Sequence, residues 1–253
     1  MRRIYIQRRV VSHRVKNETT LPGSIDSDLY RISDLTWLPW VGSRYAKVSR
    51  PKRVLVVGES HYSNEPNPKK VLQAKRELSA DPDFTRRVIH ECPVSGTWKS
   101  RTLDNIERFL LGGPAKNRAG LWSELAFYNF IQRPMEYGAR IERPTWADWV
   151  LGWEVFCHVV GVLKPSHCIF IGVEAAKSFD WVMKRNEVET SPIRKLQKIR
   201  RTWARTGGLV VGNDTVGLSF MRHCGAHFSW ADWHRFLQSQ CGEHLQSLAS
   251  RWK

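Results

Sequence analysis

The sequence predicts an α/β protein built around a central, mostly parallel β-sheet. Residues 54–57 form a continuous apolar run, which is typical of a strand covered on both faces. Residues 125–131 and 168–173 form two further apolar runs, and the segment between them has the apolar spacing of a helix. A strand, a crossover helix and a strand in this order are typical of a parallel sheet.

The chain is long enough for one sizeable core. With 253 residues, it can bury roughly 70–75% of the surface that its unfolded form exposes. Residues 1–50 show no sustained period, so we interpret them as a basic N-terminal arm that packs only at its cluster Trp37-Leu38-Pro39-Trp40. Residues 51–253 are predicted to form the α/β domain.

The other elements follow in chain order. The long stretch at residues 63–120 is interpreted as an elaborated substrate lid. Thr145 and Asp148 form a capping box that opens the crossover helix, which ends before Pro165. The remaining predictions are a helix over 174–183, a basic helix or helix-loop over 191–206, last strand material at 207–211 and 218–221, and a closing helix from Ser229.

The charge of the chain favours a polyanionic partner. Lys and Arg number 40 against 24 Asp and Glu, which gives a net charge of +16 and a pI near 10.0. The excess recurs along the chain, so nucleic acid is the leading candidate. No run approaches the eighteen or so apolar residues of a membrane span, and the N-terminus lacks the core of a signal peptide. We expect a cytoplasmic protein that binds DNA, with no membrane contact and no obligate protein partner.

The cysteines predict no metal site. Five cysteines without a CxxC pair indicate neither a disulfide framework nor an iron–sulfur site. Cys224 with His227 and Cys241 with His244 have the spacing of zinc ligands. A helix over 229–240 rises ~1.5 Å per residue and would hold the two pairs well over ~10 Å apart. We therefore predict no metal and no other cofactor.

Chemically active side chains follow the predicted strands. The first strand leads directly into Gly58, Glu59, Ser60, His61 and Tyr62. Asn129 lies inside the second strand, and His223 follows the last. The carboxyl ends of parallel strands form a ligand-binding edge, where a glycine lets the backbone approach a substrate. Asn129 has a second explanation as a buried amide that is satisfied by neighbouring backbone.

With these three segments in this order, the chain resembles the uracil-DNA glycosylase superfamily. Members of that superfamily place a Gly-acid loop after the first strand, an Asn or equivalent on the second, and a His-Pro-Ser-like loop after the fourth. The similar segments here are Gly58-Glu59-Ser60-His61-Tyr62, Tyr128-Asn129-Phe130-Ile131-Gln132-Arg133-Pro134, and His223-Cys224-Gly225 with the downstream Phe228-Ser229-Trp230-Ala231-Asp232-Trp233. The resemblance covers residues 51–240 and implies a three-layer α/β/α fold with a central, mostly parallel four-stranded sheet.

Two departures from the family pattern argue against ordinary uracil excision. Several members carry an aspartate where this chain has Ser60, so the acidic role falls to Glu59. The third motif keeps its histidine, His223, but lacks the proline and the serine.

The resemblance implies a role for each residue in breaking an N-glycosidic bond. That reaction puts positive charge on the sugar and negative charge on the departing base. Glu59 would orient water or hold the sugar cation, His223 would donate to the base oxygen, and Asn129 would read the Watson–Crick edge. The remaining roles are a pocket wall for Tyr62, and a substitute acid–base role or a phosphate contact for Ser60 and His61.

A base inside a duplex must be flipped out before it can enter such a pocket. Flipping needs phosphate anchoring and often an inserted wedge. We predict the anchor at the basic arm and at Arg194, Lys195, Lys198 and Arg201, and the wedge at Ala226-His227-Phe228. For His227, a structural or backbone-binding role is the alternative. DNA affinity should fall steeply with salt, because several phosphates are neutralised.

The insert and the changed motifs suggest a remodelled pocket. Our hypothesis is a glycosylase for a modified pyrimidine in double-stranded DNA, such as glucosylated hydroxymethylcytosine of phage DNA, acting in antiviral defence. One observation argues against it: in the uracil enzymes, a tyrosine matching Tyr62 excludes substituents at C5. The alternatives are a uracil-DNA glycosylase of base-excision repair, a catalytically silent nucleic-acid-binding module, and a hydrolase for a phosphate-bearing small molecule.

Overall fold

A seven-stranded mixed β-sheet forms the centre of the protein. The structure is a computed structural model that describes residues 23–63, 65–136, 142–225 and 228–253. The strands in these residues are β1 (Trp40–Val41), β2 (Val54–Gly58), β3 (Tyr62–Ser63), β4 (Ala126–Asn129), β5 (Met135–Glu136), β6 (His167–Ile171), β7 (Thr190–Ile199), β8 (Thr202–Val211) and β9 (Asp214–Met221). The main sheet has the order β1-β4-β2-β6-β9-β8-β7, and β3 pairs with β5 in a separate two-stranded sheet.

The centre of the main sheet is parallel and its edges are antiparallel. The four strands β4, β2, β6 and β9 run parallel to one another. β1 pairs antiparallel with β4 at one end, and β8 and β7 continue antiparallel beyond β9 at the other. The predicted α/β class and the parallel centre are confirmed. The predicted four-stranded sheet is wrong, because three antiparallel strands extend it to seven.

The predicted basic helix over residues 191–206 is also wrong, because this segment is a β-hairpin. β7 and β8 are joined by Arg200 and Arg201, and Arg200 has the positive φ of 53° that a tight turn requires. β8 pairs with β9 from Arg205 opposite Phe220 to Val211 opposite Asp214. This continuous pairing outweighs the helix propensity of the Arg and Lys residues.

Helices cover both faces of the main sheet. They are α1 (Gly23–Leu29), α2 (Val71–Ser79), α3 (Phe84–Ile89), α4 (Arg101–Leu111), α5 (Arg118–Ser123), α6 (Trp146–Leu163), α7 (Phe179–Arg185) and α8 (Trp230–Trp252). Leu55 and Val57 of β2 belong to a core with α1, α6 and α7, whereas Val54 and Val56 belong to a core with α4, α5 and α8. Alternate strand residues point to opposite faces, so the sheet lies between two helical layers.

The crossover helix α6 begins at the predicted capping box. The Thr145 side chain accepts from the Asp148 N–H, and the Asp148 side chain accepts from the Thr145 N–H. By length and composition alone, α6 is apolar enough to cross a membrane. Seven of its 18 residues are buried, among them Trp153 and Phe156 against the sheet. This burial is that of a core helix in a layered α/β fold.

Residues 23–50 pack into the core instead of forming an arm. Trp40 and Val41 of β1 pair with Phe127 and Ala126 of β4. Trp37 and Tyr45 are both only 1% exposed. Within the described residues, the predicted domain boundary at residue 51 is therefore not a structural boundary. Residues 1–22 of the predicted arm lie outside the described residues.

Candidate functional site

An open cavity of about 550 Å³ lies at the carboxyl-terminal edge of the parallel strands. Gly58, Asn129 and Ile171, the last residues of β2, β4 and β6, all line it. Its volume lies within the range of roughly 300–1,000 Å³ that is usual for small-molecule sites. The structure brings together here the predicted catalytic and substrate-binding residues Gly58, Glu59, Ser60, His61, Tyr62, Asn129 and His223.

Gly58 and Asn129 lie side by side because β2 and β4 pair in register at these two residues. A Cβ atom added to Gly58 would lie 2.2 Å from Asn129 Oδ1 and 3.0 Å from Phe127 Cζ. The Asn129 amide therefore lies across the glycine, at a distance that no side chain at position 58 would allow.

The Asn129 amide is held by a side chain rather than by the backbone. The side-chain nitrogen Nδ2 lies 2.9 Å from His61 Nε2. Asn129 is 5% exposed, and no described residue donates to its Oδ1. The carbonyl oxygen of this amide is therefore left as an acceptor in the cavity.

His61 is a buried neutral histidine, a setting that differs from its predicted acid–base role or phosphate contact. The residue is 8% exposed, and its ring lies edge-on to Trp37 and Phe84, at centroid distances of 4.8 and 4.6 Å. Burial lowers the pKa of His61 to about 3. Nε2 lies 2.9 Å from Asn129 Nδ2, which can only donate, so Nε2 is the acceptor of the neutral ring. Thr85 Oγ1 lies 2.7 Å from the same nitrogen. His61 orients Asn129 and is not positively charged near neutral pH.

Ser60 has a structural contact that also differs from its predicted role. Its hydroxyl donates to the Arg133 carbonyl at 2.8 Å. The same two loops are joined by the Ile131 N–H, which donates to the Glu59 carbonyl at 2.8 Å. Ser60 thus holds the loop after β2 against the loop after β4.

Glu59 is the carboxylate of the cavity. The Tyr62 hydroxyl donates to Glu59 Oε1 at 2.8 Å, and Arg143 Nη1 lies 4.0 Å from the same oxygen. Burial, followed by the hydrogen bond to Glu59, raises the pKa of Tyr62. Tyr62 therefore stays protonated and serves as a donor to the carboxylate.

His223 supplies a hydrogen-bond donor to the cavity. It follows the end of β9 by two residues and is exposed in the open cavity. The Gly225 N–H donates to its Nδ1 at 3.2 Å, so the neutral ring carries its proton on Nε2. The pKa of His223 is lowered mainly because the cavity partly desolvates its ring; the charge of Glu59 opposes this shift and that of Arg143 adds to it.

Two cavity residues carried no sequence signal. Arg143 lines the cavity beside Glu59, with its side chain 71% exposed. Trp98 also lines it and is 41% exposed. An isolated arginine in a basic chain and an isolated tryptophan in a loop have no pattern that points to a site. The part of the predicted lid, residues 63–120, that reaches this cavity consists of Val88, Trp98, Ser100, Thr102 and Leu103.

The predicted DNA contacts fall into two groups. Arg194, Lys195, Lys198 and Arg201 are exposed on the β7–β8 hairpin. Phe228 packs against Phe109 and Trp233, at ring distances of 6.2 and 6.3 Å, so it is not a free wedge. Its predicted neighbours in the wedge, Ala226 and His227, lie outside the described residues.

The comparisons with known proteins add no functional assignment. No protein-family model matches the chain, and no curated protein matches it either. Among the residues that the structure describes, no three His, Cys, Asp or Glu side chains are grouped so that they could hold a metal ion. The resemblance to the uracil-DNA glycosylase superfamily therefore remains a hypothesis based on three motifs.

Proposed function

We propose that the protein is a DNA glycosylase that takes a flipped-out, modified pyrimidine into the cavity and hydrolyses its N-glycosidic bond. The observation that carries this proposal is that Glu59, Asn129 and His223 line one cavity. They supply a negative charge, a fixed acceptor and a neutral donor. Cleavage of an N-glycosidic bond uses all three, because its transition state separates charge between sugar and base.

Glu59 acts on the sugar side. Its Oε1 accepts from Tyr62, which leaves Oε2 to accept a proton from the attacking water. The water oxygen bonds to C1′ as the bond from C1′ to the base nitrogen breaks. The bonding electron pair leaves with the base, which takes up a proton from solvent, and Glu59 releases to solvent the proton that it accepted from the water. The negative carboxylate also stabilises the positive charge that develops on the sugar.

His223 and Asn129 act on the base side. His223 carries its proton on Nε2 and donates to a pyrimidine oxygen that becomes more negative as the bond breaks. Asn129 presents Oδ1 because its Nδ2 is bound to His61. This oxygen accepts from a donor on the base edge, such as the exocyclic amine of a cytosine.

The size of the cavity favours a base with a bulky substituent. Its volume of about 550 Å³ is one that fits drug-sized ligands. The Tyr62 hydroxyl donates to Glu59, so we assign Tyr62 the role of holding the carboxylate. We therefore propose a hypermodified cytosine, with glucosylated hydroxymethylcytosine as the first substrate to test.

The test is a base-release assay on matched duplexes. They contain uracil, a thymine mismatch or glucosylated hydroxymethylcytosine at one position, and abasic sites are detected by alkaline cleavage. We expect release from the hypermodified duplex, and a loss of about 10²–10⁴-fold in Glu59→Gln, the range of a general acid–base group. Binding of the duplex by Glu59→Gln should stay at the wild-type level.

Three outcomes would contradict the proposal in different ways. Release of uracil alone would show that the substrate is uracil and not a modified base. Unchanged release by Glu59→Gln would remove the assigned role of the carboxylate. Tight duplex binding with no release from any substrate would support a silent binding module.

A further inference from the structure

The β7–β8 hairpin is strongly basic. Residues 190–211 contain six Arg or Lys residues and no Asp or Glu. Arg200 lies 3.9 Å from Asp232, and Arg205 donates to the Val173 carbonyl at 3.0 Å. The other four cations, Arg194, Lys195, Lys198 and Arg201, have no ion pair or side-chain hydrogen bond to any described residue. Four exposed like charges without acidic partners favour a polyanionic ligand.

The hairpin presents part of this charge on one face. Lys198 lies opposite Trp203, and Lys195 lies opposite Arg205. Residues directly opposite in an antiparallel pair share a face, as do residues two apart in one strand. Trp203 and Arg205 are two apart in β8, so their partners Lys198 and Lys195 lie on the same face as they do. Trp203 is 43% exposed on this face. The other face is fixed to the protein, because Ile199 and Ala204 are buried in the core with α8.

The tip of the hairpin projects from the edge of the sheet that carries the cavity. Arg205 lies opposite Phe220, and β9 ends one residue later at Met221. Residues 201–203 continue past that end, which corresponds to ~10 Å at ~3.3 Å per residue. Gly58 and Asn129 end their parallel strands at this same edge.

The sheet order fixes the lateral distance between the hairpin and the cavity. β8 and β7 are three and four strands away from β2. Strands lie ~4.8 Å apart, so the hairpin lies ~14–19 Å from the strand that carries Glu59. Duplex DNA rises 3.4 Å per base pair, so this distance corresponds to about four to six base pairs.

We infer that the β7–β8 hairpin is a DNA-backbone-binding element that contacts phosphates about four to six nucleotides from the flipped base, on one side only. Its position relative to a flipped base rests on the proposed function, whereas its contact with DNA does not. The salt dependence of affinity and the position of the contacted phosphates are therefore measured separately from base release.

The first experiment measures the salt dependence of affinity. The test variant is Lys195→Gln/Lys198→Gln/Arg201→Gln. The matched control is Lys47→Gln/Lys52→Gln/Lys164→Gln, which removes three exposed cations near the opposite, amino-terminal edge of the sheet. Each lost phosphate contact reduces the slope of log K against log salt by ~0.9, so the test variant should lose ~2.7 in slope and ~10²-fold or more in affinity at ~0.1 M salt. The control should keep the wild-type slope.

The second experiment locates the contact. Duplexes carry an abasic-site analogue at one position and neutral methylphosphonates at single defined positions along each strand. Wild-type affinity should fall when the phosphates about four to six nucleotides away on one side are neutralised. The test variant should not respond to those substitutions, because it has already lost the contact.

The outcomes separate this inference from the proposed enzyme. A test variant with the wild-type slope, or one no weaker than the control, overturns the inference whatever the base-release assay shows. An equal effect of methylphosphonates at all positions overturns the assigned distance. A reduced slope, together with no base release from any duplex, supports the hairpin contact and refutes the glycosylase.

Discussion

Replacing His61 by glutamine should make the protein less sensitive to acid. Burial lowers the pKa of His61 to about 3 in the folded protein, against an ordinary value of 6.5. Above pH 6.5, both the folded and the unfolded state hold this ring neutral, so it makes no pH-dependent contribution. Below pH 6.5, the unfolded chain takes up a proton that the folded state excludes. The free energy of unfolding then falls by ~1.4 kcal/mol per pH unit, or ~2 kcal/mol at pH 5.

The substitution His61→Gln keeps an acceptor for Asn129 and Thr85 but does not titrate. His167 provides a matched control outside the cavity. It is 5% exposed, and its pKa is also about 3. Its Nε2 lies 2.9 Å from Ser219 Oγ. Urea unfolding at pH 7 and pH 5 should show a loss that is ~2 kcal/mol smaller in either His61→Gln or His167→Gln than in the wild type. Each protein is compared with itself at the two pH values, so a change in absolute stability does not affect the result. Equal losses in the wild type and His61→Gln would refute the reasoning that His61 is a buried neutral acceptor.

Three further substitutions test individual contacts. Tyr62→Phe removes the donor to Glu59. Because a hydrogen bond to a charged group contributes ~1.5–3 kcal/mol, kcat/KM for base release should fall ~10–100-fold. An unchanged kcat/KM would contradict this role of Tyr62. Gly58→Ala places a Cβ 2.2 Å from Asn129 Oδ1, so the amide must move. This displacement should lower the rate of base release ~10²-fold. A variant with wild-type release would show that Asn129 does not read the base. Tyr45→Phe removes a buried hydroxyl that has no hydrogen-bond partner among the described residues. Urea unfolding should show that the free energy of unfolding rises by ~1 kcal/mol. A loss of stability would reveal an unrecognised partner.

The parallel centre and the position of the site follow from short local patterns. Residues 54–57 are apolar without interruption, and Gly58 and Glu59 come directly after them. Asn129 interrupts a second apolar run. Once both strands are parallel neighbours, their carboxyl ends meet at one edge. The meeting of Gly58 and Asn129 at this edge therefore follows from patterns that the sequence displays, whereas their direct pairing is fixed only by the structure.

The roles of Ser60 and His61 depend on contacts that no local pattern displays. His61 is buried by Trp37, Phe84 and Thr85, which come from two segments distant in sequence. Ser60 donates to Arg133, 73 residues away. The type of a residue and its neighbours in sequence cannot reveal such partners. The β7–β8 hairpin has no strand pattern in the sequence for a different reason: its exposed face is occupied by cations, which hide the alternation of a strand.

These contacts decide among the reactions that the cavity can support. A Ser–His hydrolase requires the imidazole to accept the serine proton. Here, Ser60 donates to the Arg133 carbonyl, while His61 Nε2 is occupied by Asn129 and Thr85. The groups left facing the cavity include the Glu59 carboxylate, the Asn129 amide oxygen and the Nε2 donor of His223. A carboxylate and a neutral donor suit a reaction in which water is the nucleophile and charge separates between two parts of the substrate, so the proposed hydrolysis of an N-glycosidic bond fits this cavity better than acyl transfer through a serine does.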